Sequence, residues 1–234
     1  MNPLHERIRR LPPGVEFLIV LVWAFGMPIF SSIVAILGTG AESARAIFND
    51  EALLSILIFE IVQTAFLVWF LRIRGWTLEK LGLRITGRGT VWGLGLLVVT
   101  YVVTIGAQAL AQMILPIDHA LAVEQYPTAA RGLSMQLVFL TSTVNGIFEE
   151  VFVAGYIITV LKERRGEWIA INVSTVVRML YHLYQGPIGI ITIVPMGLLY
   201  GYTYVRTRQL WPLIVAHVLV DIIGLSIATG VGAG

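Results

Sequence analysis

Glu149 and Glu150, Arg178 and His182, and His217 and Asp221 are the side chains whose types and spacing could do chemistry in this sequence. Each pair falls inside a long apolar run, where an ionisable group costs about 2.5–3.5 kcal/mol on insertion scales and marks a function by default. Residues four apart share a helix face, so Arg178 points with His182, His217 with Asp221, and Asn145 stacks with Glu149. Glu149 and Glu150 are adjacent, diverge by about 100° on a helix, and are expected to have different jobs. Two histidines with carboxylates make a ligand set for a zinc-class ion; the same groups without metal make a general base with partners for an oxyanion. Both lead to hydrolysis. The bland alternative is a set of buried salt bridges tying three helices together. Glu60, isolated in an earlier run, reads as an acid facing a neighbouring helix or reaching the interface.

The chain that must position these groups has 234 residues, 57% hydrophobic and 13% charged, with a mean hydropathy of +0.83. Soluble domains carry about 25% charged residues, so the lipid bilayer is the expected solvent. A net charge of +2 is too small and scattered for a nucleic-acid groove. The absence of cysteine removes disulfides, thiolate metal sites, Cys nucleophiles and lipidation on the chain itself.

Apolar runs at residues 17–38, 52–71, 90–115, 136–161, 168–184, 188–205 and 210–232 predict about seven crossings. The fold class is therefore expected to be all-α, a polytopic transmembrane helical bundle, forming a single integral membrane domain over residues 1–234 with the motif-bearing half at 136–223. Lys and Arg accumulate on the cytoplasmic side of membrane proteins. Arg7, Arg9 and Arg10, then Arg72, Arg74, Lys80, Arg84 and Arg88, then Lys162, Arg164 and Arg165, and finally Arg206 and Arg208 alternate with acidic or uncharged loops carrying Glu42, Asp50, Glu51, Asp118 and Glu124. This places the N-terminus in the cytoplasm and the C-terminus outside, in a plasma membrane. Pro116 and Pro127 bracket a stretch that is not one continuous helix, and residues 78–83 are expected at the membrane surface. No repeat of 20–50 residues is visible, which argues against a transporter built from inverted repeats.

From Glu149 onward the order of motifs resembles the CPBP family, which includes the type II CAAX prenyl endopeptidases and the Abi-like proteins related to bacteriocin processing and immunity. Phe148-Glu149-Glu150-Val151-Phe152-Val153-Ala154-Gly155-Tyr156 is similar to the family's paired-Glu motif, Glu-Glu-x-x-x-Arg followed by Gly. His182 stands where the family has Phe-x-x-x-His. His217-x-x-x-Asp221, preceded by Gly197-x-x-x-Gly201 and Tyr204-x-Arg206-Thr207, is similar to the closing segment ending in His-x-x-x-Asn or Asp. Two positions depart from the pattern: the motif Arg is Ala154, and the second-motif Phe is Arg178. Arg178 is expected to reach Glu150 from the neighbouring helix and hold it ionised in place of the missing Arg. The competing expectation is a degenerate, inactive member.

The resemblance implies an intramembrane endopeptidase acting on a peptide or protein substrate at the membrane. It assigns Glu149 as general base, oriented with His182 on a water, and puts His217 and Asp221 on the oxyanion side. Asp221, unlike the Asn of relatives, must be protonated, orient His217 or bind metal. Glu149, His182, His217 and Asp221 would form a zinc-type shell with one position open for water. The other functional classes are a non-catalytic scaffold or immunity protein and a proton-coupled transporter. Gly197-x-x-x-Gly201 reads as a close helix contact. Tyr181 to Tyr184 read as an outer aromatic belt, with Trp168 and Trp211 in the inner one. Ser142, Thr143 and Asn145 are expected to bond back to their own helix. Counting 1.5 Å per residue puts Glu149 and His182 about 20 Å from their inner helix ends but His217 only about 10 Å from Leu210, a gap that tilt or a protruding fourth helix must close.

Overall fold

The computed structural model describes residues 3–37, 49–114 and 133–228. A short α1 (Pro3–Arg9) leads into α2 (Pro13–Leu37), α3 (Asp50–Ile73) and α4 (Gly87–Ile114). The motif-bearing half begins with α5 (Met135–Glu149), which continues as a π-helical segment (Glu150–Ile158) and α6 (Thr159–Arg165). It is followed by α7 (Glu167–Tyr181), a 3₁₀ turn (Leu183–Gln185), α8 (Gly186–Thr207) and α9 (Trp211–Ala228). Every regular element among the described residues is helical, as expected of a membrane bundle. The acidic loop residues Glu42, Asp118 and Glu124 and the Pro116–Pro127 stretch lie outside the described residues.

Among the described residues, four stretches are long and apolar enough to cross a membrane: Pro13–Leu37, Asp50–Ile73, Gly87–Ile114 and Met135–Arg165. The expected spans at 188–205 and 210–232 fall on α8 and α9. The expected span at 168–184 is cut short, because α7 stops at Tyr181 after 15 residues. At 1.5 Å per residue it covers about 22 Å, less than the roughly 30 Å of hydrocarbon.

The α5–π–α6 column is the core of the bundle: 72% of its most apolar window is buried, against 11% for α4. Val151 to Ile158 are apolar all round, so no face of this stretch can be given to water, and every one of its side chains is enclosed. Around the column, α9 packs against α4 and α5, α7 against α8 and α2, α3 against α5, and α4 against α8. The contact of α7 follows from its sequence, in which the buried Ala170, Ile171, Ser174, Val177, Arg178 and Tyr181 recur at helical spacing.

Gly197 and Gly201 let α8 approach α7, since a Cβ would meet Thr175 Cγ2 at 3.0 Å and Ile171 Cγ2 at 3.1 Å. Outward-facing Val22, Phe30, Val91, Trp92, Val98 and Val102 form the exposed apolar surface that a bundle presents to hydrocarbon.

In residues 78–83, expected at a surface, Leu78, Glu79 and Lys80 are exposed while Leu81 and Gly82 are tied to the bundle. Gly82 has φ 70°, its carbonyl accepts from the Leu210 amide at 2.9 Å, and Tyr204 OH donates to the Leu81 carbonyl at 3.0 Å. A Cβ on Gly82 would stand 2.2 Å from the Arg208 carbonyl oxygen, so the α3–α4 loop is clamped on the α8–α9 turn. At the same end of the bundle Glu16 is buried: it pairs with Arg74 Nε at 2.5 Å and accepts from Trp76 Nε1 at 2.8 Å and Tyr156 OH at 3.0 Å.

Candidate active site

The helix changes winding where its two acids sit. α5 ends at Glu149 and the wider π winding starts at Glu150, a form that is rare and concentrates at functional sites. Neighbouring elements use the carbonyls of this segment: Ser174 Oγ donates to Val153 O at 3.0 Å and Tyr204 OH to Gly155 O at 3.3 Å.

Adjacent acids on an α-helix are expected to diverge, yet both of these reach one guanidinium. Arg178 Nη1 donates to Glu149 Oε2 at 3.0 Å and Nη2 to Glu150 Oε1 at 2.7 Å. The rigid fork of an arginine can hold two acceptors at once, which a lysine cannot do with the same geometry. The three side chains are enclosed, with Arg178 1%, Glu149 7% and Glu150 0% exposed. Ala154, in the motif position of the family-type arginine, is packed at 1% exposure.

From α9, His217 Nδ1 donates to Glu150 Oε1 at 2.6 Å, the role required if that carboxylate is ionised. This leaves Nε2 facing the gap between Glu149 Oε2, 3.8 Å away, and Asp221 Oδ2, 3.7 Å away. The depth mismatch between α5 and α9 is thus closed, with the α5–π–α6 column running on to Arg165. Asp221 accepts from Asn145 Nδ2 at 2.7 Å, so Asn145 bonds across to α9 rather than back to its own helix. Thr143 does bond back, to Phe139 O at 2.7 Å.

His182 lies just beyond the end of α7. Its Nδ1 donates to the Arg178 carbonyl at 3.0 Å, and it packs on the Tyr181 ring at a centroid distance of 4.5 Å. It makes no hydrogen bond to Glu149. Tyr181 does, donating from OH to Glu149 Oε2 at 2.5 Å.

The structure thus gathers Glu149, Glu150, Arg178 and His217 in direct contact, joins Asp221 through His217 and Asn145, and sets His182 at the edge. Tyr181 and Asn145 are additional members. Tyr181 is buried at 7% exposure and not part of an outer belt. Its signal in the sequence was position: it follows Arg178 by three residues on the same face of α7. Glu60 is also buried, and it lies within electrostatic range of Glu149, Asp221 and His217. Its signal was the series Leu53, Leu57, Glu60 and Leu67, a helical stripe in which the acid occupies a core position.

The donor set fits a divalent ion poorly as arranged. Arg178 is a competing cation on Glu149 Oε2 and Glu150 Oε1, while His182 Nδ1 and His217 Nδ1 are engaged, which leaves Nε2 as the ring nitrogen each histidine would offer. Among the described residues no three His, Asp or Glu side chains are grouped to hold a metal. What the arrangement offers without one is a carboxylate with a free oxygen: both bonds to Glu149 fall on Oε2, and Oε1 accepts none among the described residues.

A membrane-type helical bundle that draws acids, an arginine and a histidine from three helices into one buried centre defines a class of integral membrane proteins organised around an internal polar site. Within that class, the family model described as type II CAAX prenyl endopeptidase Rce1-like matches residues 131–223 of this chain, which include α5, the π segment and every group from Asn145 to Asp221. The match makes this part of the chain similar to that family and covers less than half of the chain's length. No curated protein and no solved structure matches the chain.

Proposed function

We propose that this chain is an intramembrane endopeptidase that hydrolyses a peptide bond of a peptide or protein substrate at the membrane. The observation that carries the reading is the Glu149 carboxylate, oriented on one oxygen by Arg178 and Tyr181, with His217 Nε2 facing the same gap. Glu149 Oε1 takes a proton from a water, whose oxygen attacks the substrate carbonyl. His182, its Nδ1 fixed by the Arg178 carbonyl, has Nε2 available to accept from that water. His217 Nε2, when protonated, donates to the developing oxyanion, and Asp221, held by Asn145, orients it. Glu150 is fully enclosed and serves as the anchor of Arg178 and His217 rather than touching substrate.

In this reading Arg178 does the work of the motif arginine that Ala154 lacks, and no step requires a metal. The N-terminus lies in the cytoplasm and the C-terminus outside, supported by Arg74, Lys80, Arg164 and Arg208 lining one cavity of about 390 Å³ at a single end of the bundle.

The test is cleavage of quenched peptides by purified chain in liposomes, with metal content measured on the same sample. Glu149→Gln is expected to abolish cleavage while the protein stays folded, with less than one equivalent of metal in the active wild type. Full activity in Glu149→Gln would overturn the reading. A folded wild type that cleaves nothing while retaining its cellular phenotype in Glu149→Gln would point to a non-catalytic scaffold.

A further inference from the structure

The match to the family model stops short of α3, yet α3 delivers a buried acid to the same centre. Two bonds fix the register of α3 against α5. The Ser134 amide donates to Asp50 Oδ1 at 2.8 Å, and Thr141 Oγ1 donates to the Leu53 carbonyl at 3.3 Å. Both join the first turn of α3 to the start and second turn of α5, so the two helices run parallel with an offset between 84 and 88 residues. Carried along at the common rise per residue, this sets Glu60 level with residues 144 to 148, opposite Asn145 and within a turn of Glu149.

Glu60 is 6% exposed. Its Oε2 is buried with no hydrogen-bond partner among the described residues. The titratable groups that face it are Glu149 on α5 and His217 and Asp221 on α9. Arg178, the nearest arginine of the cluster, is spent on Glu149 and Glu150. An ionised carboxylate enclosed without a cation or a donor would cost several kcal/mol, so such a group keeps its proton.

We propose that Glu60 is a fourth acid of the site, which carries the proton delivered to the leaving amine. This rests on the peptidase reading above, which supplies a base and an oxyanion partner but no donor for the departing nitrogen. As the C–N bond of the tetrahedral intermediate breaks, its electron pair goes to nitrogen. That nitrogen takes the Glu60 proton, leaving Glu60 as a carboxylate. Glu149 then returns the proton it took from water to Glu60, so one water is consumed and both acids are restored.

The test compares wild type, Glu60→Gln, Glu60→Asp and Glu149→Gln in liposomes on two quenched probes, a farnesylated peptide ending in Cys-Val-Ile-Met and the same peptide without the lipid. Glu60→Gln is expected to lower kcat by about 10²–10⁴-fold, with little change in KM. It should also remove the alkaline limb of the pH–rate profile, and Glu60→Asp should restore part of the rate. A purely structural Glu60 would lower the rate by the same factor at every pH. That result, or wild-type turnover in Glu60→Gln beside an inactive Glu149→Gln, overturns the proposal and leaves the peptidase reading standing.

Infrared difference spectra in H₂O and D₂O read the proton directly. A protonated-carboxyl band present in wild type and Glu149→Gln and absent in Glu60→Gln is expected. If wild type cleaves neither probe, that band still supports a protonated Glu60 and places the failure in the peptidase reading, whereas its absence from wild type overturns the proposal.

Discussion

Replacing Arg178 by Met keeps much of the volume and removes the guanidinium, leaving Glu149 and Glu150 adjacent, 7% and 0% exposed, and without their shared cation. Two charge-assisted bonds of about 1.5–3 kcal/mol each are lost. Breaking a buried pair by deleting one partner costs about 3–5 kcal/mol, because the remaining charge is stranded. We expect a loss near the top of that range, since two acids are stranded at once. At 1.4 kcal/mol per decade this is a fall of about 10³-fold in the folding constant.

The assay is equilibrium unfolding of the detergent-solubilised protein by SDS titration, followed by tryptophan fluorescence. Neutralising the acids should rescue it: Arg178→Met combined with Glu149→Gln and Glu150→Gln is expected to recover most of the loss, as apolar or neutral replacements of buried ion pairs commonly do. Arg178→Lys should recover less than half, because an ammonium cannot span both carboxylates as the fork does. Strict additivity of Arg178→Met and Glu150→Gln, within about 0.5 kcal/mol, would refute the shared-cation account.

Tyr181→Phe removes the shortest bond to Glu149 Oε2 and should lower kcat at least tenfold with KM unchanged, measured on the same liposome assay. Gly146→Ala is expected to destabilise the fold by about 1–3 kcal/mol in SDS titration, because its Cβ would stand 2.6 Å from Val218 Cγ2 and push α9 off α5. Asp221→Asn should keep the contact with Asn145 by rotating the new amide and retain more activity than Asp221→Ala, which strands the Asn145 donor; equal rates for the two variants would count against the orienting role of Asp221.

The helices and the polar groups inside them were legible because both signals are local: uninterrupted apolar runs, and charges where charges are costly. What joins the groups was not. Val151 to Ile158 are apolar on every side, so they carry no phase from which a change to π winding could be read, and the expected divergence of Glu149 and Glu150 rested on regular α geometry. Tyr181 looked like an interfacial aromatic because it stands near the end of a run, although its spacing from Arg178 placed it on the buried face. The bond between Asn145 and Asp221 spans 76 residues and has no trace in local pattern.

The knot around Glu16 has a mechanical corollary. Arg74 grips the Ile8 and Arg9 carbonyls and Glu16, and Glu16 in turn holds Tyr156 inside the π segment. Ile8 and Arg9 are therefore linked through Arg74 and Glu16 to Tyr156, in the helix segment that carries Glu150. Pulling on α1 would thus be felt at the π segment, through Arg74 and Glu16.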